Sequence, residues 1–231
     1  MKKVIVAVDG PAGSGKSSVS REVAADIGLK YIDSGAIYRA ITWYVLARDG
    51  AIGPGFIFTS DIAGMEIRQV FLPDRTCRTF VDGRDISSLI RDEMIAGSIG
   101  IVSDNREVRE HVNDLLRGWA REDSIIMDGR DIGSVVFPSA NVKIYLDAST
   151  EVRALRRINE YRELGKNVDE KQIKKQIILR DEQDARRPFG ALIRASDALY
   201  LDTTRMTMDQ VIARIKEEIT TRMDKHGAPL Q

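Results

Sequence analysis

Gly10-Pro11-Ala12-Gly13-Ser14-Gly15-Lys16-Ser17 has the spacing G-x-x-x-x-G-K-S, with Ser18 next. Those residue types can cradle a chain of phosphates. The glycines let the backbone curl so that successive N–H groups point inward, Lys16 has the length to reach the outer phosphates, and the Ser17 hydroxyl is a ligand suited to Mg2+. A short apolar run, Val4 to Val8, precedes the motif and a helical pattern follows it, so the loop opens a helix whose free N–H groups and dipole favour anions. An ordinary Gly-rich turn would not need that strand-and-helix context, and the stretch is read as a nucleoside triphosphate site.

Two other polar clusters stand where apolar runs end: Asp33-Ser34-Gly35 with Arg39, and Asp128-Gly129-Arg130-Asp131. Taken singly, Asp33 or Asp128 would be a helix cap or turn residue, and one arginine a solvated side chain. Together with the Gly-rich loop they mark three strand ends, and in a doubly wound sheet the carboxyl ends of the strands surround the ligand. Arginines in two separate clusters, Arg39 and Arg130, favour an acceptor that is itself a phosphate. Residues 150–190 add Arg153, Arg156, Arg157, Arg180, Arg186 and Arg187, the pattern of a helical pair that could close over a phosphoryl group and exclude water.

The elements that must position these groups follow from periodicity. Val19, Val23 and Ile27, with Gly28 at the stop, predict a helix over Lys16–Ile27; Tyr31-Ile32 is a short strand and Ala36–Asp49 a second helix closed by Gly50. This βαβα alternation predicts a parallel sheet covered on both faces. From Met65 the rhythm changes: Met65–Leu72 and Thr76–Val81 read as strands around Pro73-Asp74-Arg75, and Asp82-Gly83 is a hairpin dipeptide, so residues 61–90 form a small antiparallel insertion. Helical sequence resumes from Arg91 to about Ala120 with a break at Ser103-Asp104-Asn105, where Asn105 can cap the second piece. Further strands are expected at Ser124–Met127, Val142–Leu146 and Ala198–Leu201. Helices are expected at Thr150–Gly165 and from Asp169 to about Arg187, around a Gly165-Lys166-Asn167 turn. Thr207 and Gln210 form a capping box for a last helix with apolar positions Met208, Val211, Ile212, Ile215 and Ile219.

Composition sets the outer bounds. The 231 residues can bury a sizeable core, and the 35 basic residues balance the 35 acidic ones, leaving no global field for nucleic acid or an anionic membrane. Cys77 is the single cysteine and reads as an apolar strand position; the chain has no internal disulfide, which suits a reducing compartment. Met1-Lys2-Lys3 leads into five apolar residues before Asp9, too few for a signal peptide or a membrane span, and a cytoplasmic location is expected.

Asp33-Ser34-Gly35-Ala36-Ile37-Tyr38-Arg39, the run Asp128-Gly129-Arg130-Asp131-Ile132-Gly133-Ser134-Val135-Val136-Phe137-Pro138 and the phosphate loop together closely resemble the bacterial cytidylate kinases. Val142-Lys143-Ile144-Tyr145-Leu146-Asp147-Ala148 and Arg180-Asp181 through Asp184 and Arg187 extend the resemblance over nearly the whole chain, in order. It implies an α/β nucleoside monophosphate kinase fold: a five-stranded parallel sheet flanked by helices, a core of 1–60 and 91–231, an inserted CMP-binding segment at 61–90 and a helical lid at 150–190. The implied activity is transfer of the γ-phosphoryl group of ATP to CMP or dCMP with Mg2+, by a protein expected to be a monomer without nucleic acid or membrane partners. Carried over by position, Gly10, Pro11, Ala12, Gly13, Ser14, Gly15, Lys16, Ser17 and Ser18 bind ATP together with Arg157, and Ser17 meets the metal. Ser34, Arg39 and Arg130 surround the CMP phosphate, and Ser98, Arg109 and Asp131 read the cytosine. Arg180, Asp184 and Arg187 meet the pentose and close over the phosphates, and Asp128 orders the metal's water shell; Lys16, Arg130, Arg180, Arg187 and Asp128 form the catalytic set. The Ser98 to Arg109 spacing is longer than the family pattern, which leaves Ser103 and Arg106 as alternatives at those two positions. The rivals are a P-loop kinase for another small acceptor, such as a different nucleoside monophosphate or a sugar acid, and a GTP-dependent switch. No Asn here is followed by Lys, so the N-K-x-D guanine reader of such switches is missing.

Overall fold

Residues 3–163, 165 and 168–225 are described by a computed structural model. Met1-Lys2 and the Lys166-Asn167 part of the expected turn lie outside the described residues.

The first strand, β1 (Ile5–Asp9), shows why its apolar run is continuous. Alternation sends Val6 and Val8 into one core cluster and Ala7 into the other, all fully buried, so both faces of the strand are covered. Helix α1 (Lys16–Ile27) places Val19, Val23 and Ala24 against Val6 and Val8 and ends at Gly28, whose left-handed backbone (φ 70°) lets its N–H reach back to Ala24 O. After β2 (Lys30–Asp33), helix α2 (Ser34–Asp49) covers the opposite face through Ile37 and Ile41. Each such fully buried Val or Ile contributes about 1.5–3 kcal/mol.

The insertion then leaves the sheet. A single turn, α3 (Ser60–Ala63), leads into β3 (Ile67–Phe71), β4 (Cys77–Val81) and β5 (Arg84–Asp85), which form a separate antiparallel sheet in that order. Asp82 and Gly83 have φ of 48° and 78°, as a two-residue turn of the mirror-image type requires. The third, two-residue strand was not expected from the sequence, because two residues show no periodicity. Buried Gln69 joins the insertion to the main sheet by accepting from Asp33 N at 3.0 Å and donating to Asp33 O at 2.8 Å.

Arg91, expected to open a helix, instead ends a 3-10 turn (Leu89–Arg91). Helix α4 (Glu93–Asp104) starts after Asp92, which accepts from Met94 N. The break falls where it was expected: Asn105 accepts from Val108 N at the start of α5 (Arg106–Glu122). The remaining elements are β6 (Ile125–Gly129), a π-helical turn (Ile132–Val136), β7 (Val142–Asp147), α6 (Thr150–Glu163), α7 (Glu170–Arg186), β8 (Leu199–Asp202) and α8 (Met208–Lys225). Thr207 and Gln210 make both reciprocal bonds of the capping box.

The five-stranded sheet is parallel throughout, in the order β2-β6-β1-β7-β8. Strand order reverses at β1, so the loop after β1 stands at the topological switch point, between the carboxyl ends of β6 and β7. That placement brings the Gly-rich loop beside Asp128-Gly129-Arg130-Asp131.

Candidate active site

Gly10 begins the loop at φ 150°, and a Cβ there would lie 1.9 Å from Leu146 O on β7, so only glycine fits. Gly15 caps α1 from the left-handed region without a side-chain acceptor, which leaves the helix's first N–H groups to an anion. Lys16 is buried, its Nζ donating to Pro11 O at 2.7 Å and Ser14 Oγ at 3.2 Å. Burial, and then Arg130, push its ammonium below the usual lysine range, while Asp128 and Asp9 pull the other way.

Beside the loop, Ser17 Oγ donates to Asp128 Oδ2 at 2.8 Å, Tyr31 Oη donates to Asp128 Oδ1 at 2.6 Å, and Ser34 Oγ donates to Asp128 O at 2.7 Å. Burial, then the Asp33 carboxylate, push the Asp128 carboxyl up against the pull of Lys16. Among the described residues no group of three or more His, Cys, Asp or Glu side chains could hold a metal alone. One hydroxyl and one carboxylate oxygen next to a phosphate cradle nevertheless fit Mg2+, which takes one or two carboxylates and completes its shell with substrate phosphates and water.

Across from the loop's Lys16, Asp184 is wholly buried. Its Oδ2 takes Arg130 Nε at 2.7 Å, and its Oδ1 takes Arg187 Nη2 at 2.8 Å and Arg180 Nε at 3.2 Å. Burial alone would raise the Asp184 carboxyl, yet the three guanidiniums, Arg130 foremost, hold it below the ordinary carboxylate range. Arg187 is also committed, with Nε on Asp104 at 2.6 Å. Arg39 has no hydrogen bond or ion pair among the described residues and lines a small cleft with Thr79 and Ser87 of the insertion.

Arg109 and Asp131 pair beside this cluster, and Arg109 Nη1 donates to Ser103 O at 3.1 Å. The structure thus brings Ser103 to Arg109. Ser98 sits half-buried earlier on α4, and exposed Arg106 pairs with Glu110 at 2.8 Å. Buried Asp9 accepts from Ile132 N at 2.8 Å and Gly133 N at 2.7 Å, clamping the turn that carries Arg130 and Asp131 to the strand that carries the phosphate loop. Asp33 has the plain role of capping α2 through Ala36 N.

In the charged helices, Arg157 does not reach the loop; its guanidinium bonds Glu160 and Tyr161 on its own helix. Arg153 and Arg156 make the contact instead, to Ala12 O at 3.0 Å and Ser14 O at 3.1 Å. Sequence reasoning gave no role to Asp9 or Tyr31. Adjacency to Gly10 was a signal for Asp9; an apolar pair hid Tyr31.

Known proteins match this arrangement along the chain. A family model described as cytidylate kinase matches residues 6–221. The chain is 38% identical over 217 residues to a cytidylate kinase of Exiguobacterium sibiricum (94% of this chain, 97% of that one). It is 41% identical over 210 residues to one of Shouchella clausii (91% and 93%). A crystal structure of an uncharacterized protein from Eubacterium ventriosum is similar in fold alone, with TM-score 0.53 and 12% identity over 95% of this chain and 99% of that one. A match over so much of the chain, together with a phosphate loop set against an arginine cluster, means that the chain belongs to the cytidylate kinase family.

Proposed function

We propose that the protein transfers the γ-phosphoryl group of ATP to CMP or dCMP, giving CDP or dCDP. The observation that carries this reading is the convergence of the Lys16 loop and the Arg130–Asp184–Arg180 cluster at neighbouring strand ends, with the Arg109–Asp131 pair beside them. The acceptor oxygen of a nucleoside monophosphate is already ionised at neutral pH, so no enzyme base or nucleophile is required. Catalysis is positioning and charge stabilisation.

The backbone of Gly10–Ser18 holds the donor phosphates, with Arg153 and Arg156 fixing the carbonyl side of that loop. Lys16 leaves Pro11 O and Ser14 Oγ for a phosphate oxygen. Ser17 and Asp128 would hold Mg2+, which supplies charge neutralisation at the donor phosphates. Arg39, Arg130 and Arg180 grip the acceptor phosphate. Asp184, itself held by Arg187, keeps Arg130 and Arg180 aligned, and Asp131 and Arg109 read the base, with Ser103 beside Arg109. Helices α6 and α7 act as the lid, and residues 61–90 form the wall of the CMP site around Arg39. The protein works as a cytoplasmic monomer. Half-buried Cys77, pushed up to about 12 by burial and by Asp33 and Asp128, takes no part, and no helix among the described residues is long and apolar enough to cross a membrane.

The test is ATP turnover with CMP, dCMP, UMP and AMP, for wild type and Lys16→Ala. CMP and dCMP are expected to be the good acceptors, and Lys16→Ala to lose at least about 10²–10³ in kcat, the worth of one charge-stabilising donor. Preference for AMP or UMP, or retained activity in Lys16→Ala, refutes the reading.

A further inference from the structure

The ring of Tyr31 packs as an apolar side chain, meeting Phe71 of β3 edge-on with 5.7 Å between centroids. Its hydroxyl makes a contact that packing does not require. Residues of β2 alternate between faces, so Tyr31 and Asp33 share one, and the parallel register sets Asp33 opposite Asp128. The phenol thereby reaches the Asp128 carboxylate and donates to Oδ1 at 2.6 Å, with both side chains buried. The other oxygen of that carboxylate faces Ser17 Oγ at 2.8 Å.

We propose that Tyr31 is a positioning residue for the divalent cation that arrives with ATP: its hydroxyl fixes the rotation of the Asp128 carboxylate so that Oδ2 is aimed at the Ser17 side of the phosphate loop. The terminal torsion of an aspartate is broad and roughly two-fold, so a carboxylate without a second partner would not hold this aim. Partners of this kind behind a metal ligand typically govern about 10–100-fold in metal affinity.

The inference rests on Mg2+ being ordered at Ser17 and Asp128, and the experiment separates the two. Tyr31→Phe removes the hydroxyl and keeps the ring against Phe71. Calorimetric titrations of ATP with Mg2+, and of ATP with a chelator, give the affinity gained from the metal. Wild type is expected to bind ATP more tightly with Mg2+, and Tyr31→Phe to need roughly 10–100 times more Mg2+ for the same gain. Binding of metal-free ATP and of CMP should be unchanged in that variant. Phe71→Leu perturbs the ring packing without touching the carboxylate and is expected to keep the wild-type Mg2+ response; an equal loss there would make Tyr31 a packing residue and overturn the proposal. An unchanged Mg2+ response in Tyr31→Phe alongside a lost response in Asp128→Asn overturns this inference alone. If Asp128→Asn also keeps the response, the placement of the metal falls with it.

Discussion

Arg109 and Asp131 face each other at 2.5 Å between Nη2 and Oδ2, with side chains only 2% and 6% exposed, and the guanidinium lies 5.4 Å from the centre of the Tyr38 ring. Burial pushes the Asp131 carboxyl up, and Arg109 offsets this only in part. Oδ1 of Asp131 accepts no protein hydrogen bond among the described residues, so the pair offers one acceptor oxygen fixed in direction.

On the proposed reading of the pair as the base reader, cytosine should match that offer and uracil should not. Cytosine has an N4 amino donor beside an N3 acceptor, whereas uracil has an O4 acceptor beside an N3–H donor. An ionised Asp131 facing O4 leaves two acceptors together, and buried polar mismatches of this kind discriminate by up to about 10⁴–10⁵. Asp131→Asn should lower kcat/KM for CMP sharply and shrink the CMP to UMP ratio, because an amide can turn its N–H2 toward O4. Steady-state kinetics with both acceptors measures it; an unchanged ratio would remove Asp131 from base recognition.

Gly190 should behave as part of the same site although it carries no side chain. Its backbone is left-handed, at φ 69°, and an added Cβ would stand 2.3 Å from Arg109 Nη2 and 2.4 Å from Nε. The alanine variant must move Arg109 away from Asp131, and a misplacement of about 1 Å costs as much as roughly 10²-fold. Gly190→Ala should therefore lose about that much in kcat/KM for CMP with ATP affinity kept, read by kinetics and calorimetry together.

The helical pair proposed as the lid should be anchored at one end. Arg153, buried at the base of α6, donates to Ala12 O and Ala148 O and pairs with Asp181 of α7 at 2.6 Å, whereas the contacts toward the far end, such as Arg162 with Glu170, are exposed. Hydrogen exchange in the free protein should be slow around Arg153 and fast toward residues 162 and 170. Addition of both nucleotides should slow the fast end. Uniform exchange that ligands leave unchanged would make α6 and α7 a rigid pair.

What could be read from the chain depended on how far each signal lies from its partner. Gly10–Ser18 carries its whole geometry within nine consecutive residues, and Asn105 and Asp82-Gly83 act on neighbours, so loop, cap and hairpin were legible. Tyr31 depends on Asp128, brought close by sheet register, and Asp9 on Gly133, in the turn after β6; both partners are far off in sequence, and beyond the adjacency of Asp9 to Gly10 no local pattern marks either residue. Arg153, Arg156 and Arg157 look equivalent in a charged helix. Only the docking of α6 on the loop separates the first two from the third. Ser98 and Ser103 were likewise alike in sequence; of the two, Ser103 is the one whose backbone carbonyl accepts from Arg109.

Asp9 gives the clearest dependence on pH. Burial raises its carboxyl from 3.8 to about 6 although Gly133 and Ile132 both donate to it; Asp131 adds to the rise and Lys16 opposes it. A carboxyl with a raised folded-state pKa binds its proton more tightly folded than unfolded. Its favourable contribution is therefore complete below the unfolded value and is lost as pH climbs through about 6. The difference corresponds to something on the order of 3 kcal/mol. Asn at this position cannot ionise, so the other titrating groups largely cancel when the variant is compared with wild type at each pH. The stability advantage of wild type over Asp9→Asn should be larger at low pH than at neutral pH, with the change centred between the unfolded value and about 6. At neutral pH wild type keeps the two N–H bonds of the clamp but carries the cost of a buried charge, whereas Asn can accept only one of them well. Urea unfolding of both proteins across that range measures the difference, and a gap that does not change with pH would show that Asp9 ionises in the folded protein as freely as in the unfolded chain.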